Sequence, residues 1–244
     1  MQKASIGVYF YQLQKASKLL IKELSMIKLY GLPVSNNISK VRYCLSYLGL
    51  DYEIVPINPM KGENKTDEYL RISPTGKIPA IDADGFTLFE SNAINRYLAT
   101  TNNSELYPTD PKKRAKVDSW LDFGSIHIGS AQGRVTFNRV FAPVFGTEVD
   151  EASLKQGLEF LDKFLPIVEK QLAKSAYIAG DTLSIADLNL LAIFDPFELA
   201  SVSLEAYPSI TKWRNELKSA DFYQKCYKDF TQFVTEAMSA MSAA

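Results

Sequence analysis

The stretch from Ser73 to Tyr97, SPTGKIPAIDADGFTLFESNAINRY, constrains the fold more than any other part of the chain. Ser-Pro-Thr-Gly is turn composition. Lys77-Ile78-Pro79 stands directly before a short apolar run. Proline cannot donate to a sheet ladder, so Pro79 belongs at the start of a strand or in a special turn. Asp84-Gly85 between IPAID and FTLF is a hairpin signal. Glu90-Ser91 ends the second strand and opens a helix, with Ser91 as its N-cap. Ile78, Glu90 and Ser91 therefore fall at the ends of elements, where groups are free to hold a small peptide.

Around this core the order reads strand, helix, strand, helix, strand, strand, helix. Ile27 to Tyr30 is the first strand, and Val41, Cys44, Leu45 and Leu48 mark a helical face stopped by Gly49. Tyr52 to Ile57 is the second strand, TDEYLRI a short helix, and the last helix runs from Ser91 to about Ala99. This βαβαββα order is thioredoxin-like and fills residues 26–100. Residues 101–111 form a polar linker, and from 112 to 236 the pattern is purely helical, giving an α/β plus all-α chain. Leu154, Leu158, Leu161, Leu165, Val168 and Leu172 draw an unbroken apolar stripe. Ser184-Ile185-Ala186-Asp187 has the form of a capping box opening a helix apolar all round, which predicts the buried centre of this domain. Residues 1–25 carry an amphipathic helix pattern (Leu13, Ala16, Leu20, Leu24) and form an extension of open purpose; residues 237–244 are an Ala/Ser/Met-rich tail.

Composition mainly excludes. A net charge of −1 gives no electrostatic case for nucleic acid or an anionic membrane, and no apolar run is long enough to span a bilayer. With one histidine and two cysteines, a metal site is not expected. No G-x-S-x-G surrounds any serine. Cys44 and Cys226, without C-x-x-C, read as ordinary buried thiols of a reducing compartment, the cytoplasm.

Gly-Lys-Ile-Pro, the Asp-Gly hairpin and Glu-Ser at this spacing resemble the glutathione-binding half of the cytosolic glutathione transferases. The upstream IKLYGLPVSNNISKVRYCLSYLGLDYEIVPIN agrees, and FNRVFAPVFG and AYIAGDTLSIADL are similar to the helical domain of phi and theta-like members. The resemblance implies a homodimer that takes glutathione as co-substrate and a small apolar electrophile as second substrate, in the service of detoxification.

Residue by residue, it places Ser35 where serine-type members hold the thiolate, with Asn36 and then Asn37 as rivals in the same loop. Capping of the first helix is the plain structural reading of Ser35. No cysteine occupies this loop, which disfavours thiol-disulfide chemistry there. Ile78 would pair its backbone with the cysteinyl unit beside a cis Pro79, and Lys77 would face the peptide. Glu90 would take the γ-glutamyl ammonium, while Ser91 and the helix N-terminus take its carboxylate. Asn64 stands where relatives have a histidine against the glycyl carboxylate, with Lys65 beside it. Trp120, Phe123 and His127 recur at helical spacing as candidates for the second-substrate pocket. Two other readings stay open at this point. One is a glutathione-dependent reductase of disulfides or peroxides using Asn36; the other is a non-catalytic binding module of the same fold.

Overall fold

The computed structural model describes residues 26–227, so the extension at residues 1–25 and the tail lie outside the described residues. Four strands form one mixed sheet in the order β2-β1-β3-β4. The strands are β1 (Ile27–Tyr30), β2 (Tyr52–Val55), β3 (Ala80–Ala83) and β4 (Phe86–Phe89). β1 runs parallel to β2, across the crossover helix α1 (Asn36–Leu48), and antiparallel to β3. The hairpin register pairs Ala80 with Phe89 and Ala83 with Phe86. Asp84 and Gly85 both take positive φ (54° and 82°), the backbone a two-residue hairpin turn requires. α2 (Asp67–Ile72) and α3 (Ser91–Thr101) complete the thioredoxin-like unit.

Two local expectations shift. The second strand ends at Val55 rather than Ile57, where the Pro56 ring removes a ladder donor. Ser91 is the first residue of α3 rather than its N-cap; Glu90 takes the cap position at φ 68°, ψ 113°. A non-glycine residue in that region costs about 1–3 kcal/mol and is held only by its surroundings.

The helical unit is built on α4 (Pro111–Phe123), α5 (Ser130–Thr136), α6 (Ala142–Val144), α7 (Glu151–Leu172), α8 (Ile185–Phe194), α9 (Pro208–Ser219) and α10 (Asp221–Gln224). Two π-helical stretches, Gly124–Gly129 and Phe137–Phe141, splice α4, α5 and α6 into one rod. Every residue of α8 is buried, as its all-apolar pattern requires. Asp187 closes its first turn by accepting from the Ser184 N–H at 3.0 Å. The same carboxylate accepts from the Ile178 N–H and the Trp213 indole, so this motif organises three segments. Burial pushes its carboxyl up to about 6, against those hydrogen bonds.

The two units share one apolar core that runs from Leu29 and Ile38 to Phe194 and Phe197. α1 packs on α3 and on α8. At the far end of that contact the Tyr43 hydroxyl of α1 donates to Asp195 Oδ2 at 2.6 Å, and Tyr223 of α10 donates to Oδ1 at 3.0 Å. Asp195 is thus the joint between the units. Burial pushes its carboxyl up to about 7, with the two phenols pulling the other way.

Candidate active site

A cleft of about 610 Å³ lies between the two units, within the range of small-ligand sites. Its first wall is the thioredoxin-like unit. Gly31 opens the loop after β1 at φ 145°; a Cβ there would sit 1.9 Å from Ile38 Cδ1, so only glycine lets the chain turn over α1. Leu32 accepts from the Ser35 N–H at 3.0 Å and the buried Arg42 guanidinium holds the Pro33 carbonyl at 3.3 Å. The loop therefore delivers Ser35, Asn36 and Asn37 to the cleft in a fixed shape.

Ser35 occupies the N-cap position of α1, yet its hydroxyl makes no capping bond. That removes the plain capping reading and leaves the hydroxyl free at a helix N-terminus. Asn36 is committed instead: its amide donates to Gln132 Oε1 of α5 at 3.3 Å, and Gln132 Nε2 donates to Thr136 Oγ1 at 2.7 Å. Asn37 is exposed.

Across the cleft the Ile78–Pro79 bond is cis. The Ile78 N–H and C=O have no partner among the described residues, an open stretch of backbone facing the cavity. Its approach is fixed by the preceding carbonyl: Lys77 O accepts from Tyr69 Oη at 2.8 Å and from Ser73 Oγ at 2.9 Å. Lys77, Glu90 and Ser91 line the same cavity.

Asn64 and Lys65 do not line it. Asn64 turns its amide onto the Gly76 carbonyl at 2.7 Å, so it braces the loop before Lys77, and Lys65 points to solvent. A neighbour that the sequence reading missed does line it: Lys40, on α1, only 5% exposed. Burial pushes its ammonium down to about 8 although Glu90 attracts it. No motif flags it, because a lysine among IS-VRYCL reads as a solvated position on an amphipathic helix.

The second wall also departs from expectation. Trp120, Phe123 and His127 pack away from the cleft, around Phe164 of α7. The Phe123–Phe164 and His127–Phe164 ring centroids are 5.7 and 4.8 Å apart. The helical wall of the cleft is Ser125, Gly129, Ser130, Gln132 and Gly133, with Phe141 and Ile193. On a helix these positions lie roughly half a turn round from the aromatic set. The aromatic stripe is thus core against α7, and the small and polar stripe faces the ligand space. A second bridge joins the walls here, from Asn92 Nδ2 to Ser125 Oγ at 2.8 Å.

Cys44 and Cys226 are buried, and burial pushes their thiols up to about 12 and about 11. Neither is placed for redox work. No cluster of metal-ligating side chains occurs among the described residues, and none of their helices is long and apolar enough to cross a membrane.

Comparison with known proteins agrees with this geometry. Residues 25–100 match the glutathione S-transferase N-terminal domain and residues 133–221 the C-terminal domain. The chain is 36% identical over 208 residues to glutathione S-transferase 1 of Zea mays, covering 83% of this chain and 96% of that protein. A solved structure of glutathione S-transferase I bound with lactoylglutathione superposes with a TM-score of 0.76 at 34% identity, over 82% of this chain and 98% of its own. The maize enzyme in complex with an atrazine glutathione conjugate gives 0.76 at 33%, over 88% and 98%. With both domains matched in order and nearly the whole of each relative covered, the chain belongs to the cytosolic glutathione S-transferase family and is an enzyme of glutathione transfer.

Proposed function

We propose that the cleft binds glutathione along its thioredoxin-like wall and that Ser35 holds the sulfur as a thiolate. The thiolate then attacks a small electrophile held against the helical wall. The observation that carries this reading is the uncapped Ser35 hydroxyl at the N-terminus of α1, in one cavity with the unpaired Ile78 backbone and with Glu90 and Ser91. The cysteinyl unit pairs with Ile78, the γ-glutamyl ammonium with Glu90, and its carboxylate with Ser91 and the N-terminus of α3.

The magnitudes close. A free thiol has a pKa of about 8.5, and lowering it by about two units takes roughly 2.7 kcal/mol of preference for the anion. A hydrogen bond to a charged group contributes about 1.5–3 kcal/mol and a helix N-terminus about 0.3–1 more. No general base is required. Holding thiolate and electrophile together supplies the rest of the catalysis.

Ser35→Ala is expected to raise the pKa of bound glutathione by about one to two units, one charge-assisted hydrogen bond at about 1.4 kcal/mol per unit. Affinity for glutathione should change little. Ultraviolet thiolate absorbance titrated against pH reads this out. A titration unmoved by Ser35→Ala but shifted by Asn36→Ala would transfer the role to Asn36 and favour the reductase reading.

Conjugation of foreign electrophiles in the cytoplasm is the role this chemistry suits, and the maize relative carrying an atrazine conjugate supports it. The working unit we propose is a homodimer, joined through the first domain of one copy and the second domain of the other. Exposed Phe86, stacked at 5.0 Å on Tyr97, and exposed Ile126 offer apolar surface on both units. Sedimentation equilibrium at micromolar concentration should give twice the chain mass; a monomer would end that proposal.

A further inference from the structure

Among the described residues the cavity is lined by three charged side chains, Lys40, Lys77 and Glu90. Two cations and one anion is the complement of glutathione, which carries two carboxylates and one ammonium. Lys40 stands apart within this set. It is 5% exposed, and no acceptor or ion-pair partner among the described residues reaches it. A buried ammonium without a hydrogen-bonded anion is costly to fold around, and its depressed basicity records that cost. Lys77 by contrast is exposed and pays none of it.

The position of Lys40 is also fixed. Asn95 of α3 donates its amide to the Lys40 carbonyl at 3.0 Å, clamping this turn of α1 against the helix that begins at Ser91. Glu90, directly before that helix, is the acidic group whose charge Lys40 feels. One ammonium and one carboxylate set into the same end of a cavity match the two charges borne on a single carbon by an α-amino acid.

We propose that Lys40 is a binding residue for the γ-glutamyl head of glutathione, its ammonium taking the α-carboxylate while Glu90 takes the neighbouring ammonium. The proposal rests on the glutathione site described above and adds a cation to the carboxylate subsite of Ser91 and the α3 N-terminus. An incoming carboxylate supplies the partner that the fold withholds from Lys40.

The test is calorimetry on the whole protein with two probes: glutathione, and the peptide lacking only the γ-glutamyl α-carboxylate, 4-aminobutanoyl-cysteinylglycine. The unmodified protein should prefer glutathione. Lys40→Met should weaken glutathione by about 10- to 100-fold, the range of a charge-assisted bond, and leave the truncated peptide within about threefold. Lys40→Arg should restore most of the preference. Equal weakening of both peptides would make Lys40 a structural residue and overturn the proposal, as would a preference that survives Lys40→Met intact; in either case Glu90 and Ser91 keep their roles. An unmodified protein that does not distinguish the peptides would overturn the head-group site itself, and Lys40 with it. Should Lys40→Met fail to fold, Lys40→Gln carries the same comparison, keeping a polar donor and removing the charge.

Discussion

The thioredoxin-like wall of the cleft presents its groups from the ends of elements: Ser35 before α1, Ile78 before β3, Glu90 and Ser91 between β4 and α3. The helical wall presents Ser125, Gly129, Ser130, Gln132 and Gly133 from the side of one long rod. Groups at element ends are placed by turns, a cis proline and a strained residue, and a single insertion there would destroy the site. Groups along a rod are placed by its register, and any side chain that leaves the core face intact is tolerated. The first wall is therefore suited to one invariant ligand. The second is suited to whatever electrophile its current side chains leave room for.

The comparison holds only while the walls stay in register, and Asp195 is the joint that keeps them so. Asp195→Ala should have the largest effect. It strands the buried Tyr43 and Tyr223 hydroxyls without an acceptor. Each orphaned group costs about 1–3 kcal/mol, so a loss of about 2–5 kcal/mol is expected, roughly 2–4 °C of Tm per kcal/mol in a chain of this size. Asp195→Asn keeps an acceptor and removes the titration, which separates the pH component. The folded carboxyl sits near 7 against an ordinary 3.8, so the folded state retains a proton the unfolded chain has released. The contribution of this group to stability is therefore fully present at acid pH and lost as pH rises through about 7. Urea unfolding at pH 5 and pH 8 should show that slope in the unmodified protein and a weaker one in Asp195→Asn; equal slopes would remove Asp195 as its source.

A mirror pair of substitutions sharpens the contrast between walls. Glu90→Ala should weaken glutathione by about 10- to 100-fold, since it removes a hydrogen bond to a charged group. At saturating glutathione the KM for the electrophile should stay put. Gly133→Leu should do the reverse. A Cβ at Gly133 meets no heavy atom within 4 Å, so the new side chain fills open space in the cleft without disturbing the fold. Its bulk should cost about tenfold in kcat/KM for the electrophile, the usual scale of a few methylenes in a pocket, with glutathione affinity unchanged. If either variant moves both parameters, the walls are not separable and the division of labour fails.

This division also explains what could be read from sequence. Strand ends, the Asp-Gly turn, the cis proline, the Gly49 stop and the Ser184–Asp187 box are local chemistry, and each stands where its residues imply. Ser35, Ile78, Glu90 and Ser91 were legible for the same reason. The helical wall was not. Aromatic side chains at Trp120, Phe123 and His127 look like a ligand pocket but bury more surface against Phe164. The stripe that faces the cleft is small and polar, with no hydropathy signal, and the two π turns shift its register. Lys40 escaped because burial of a lysine is decided by what α3 and β4 lay over it, which no local pattern carries. Asn64 failed in the opposite way: its residue type suited a ligand, but the nearby Gly76 carbonyl takes its donor.

The smallest expected effect lies where the walls touch. Asn36 belongs to the first wall by sequence, yet its amide is spent on Gln132 of the second, and Gln132 passes the chain on to Thr136. In the serine-type reading Asn36 is a brace that holds the Ser35 loop against α5. A half-buried neutral bond of 3.3 Å is worth about 0.5–1.5 kcal/mol. Asn36→Ala and Gln132→Leu should therefore each lower kcat/KM by only a few-fold. The double variant should be little worse than either, because both remove one bond; the coupling should be about 0.5–1 kcal/mol. Glutathione affinity should not register the change, since none of its charged groups is involved. If Asn36 instead touches the sulfur, its loss raises the thiolate pKa whether or not Gln132 is present, and the two substitutions add. An additive cycle with a shifted thiolate titration in Asn36→Ala alone would assign the sulfur to Asn36 and break the separation of the walls at its closest point.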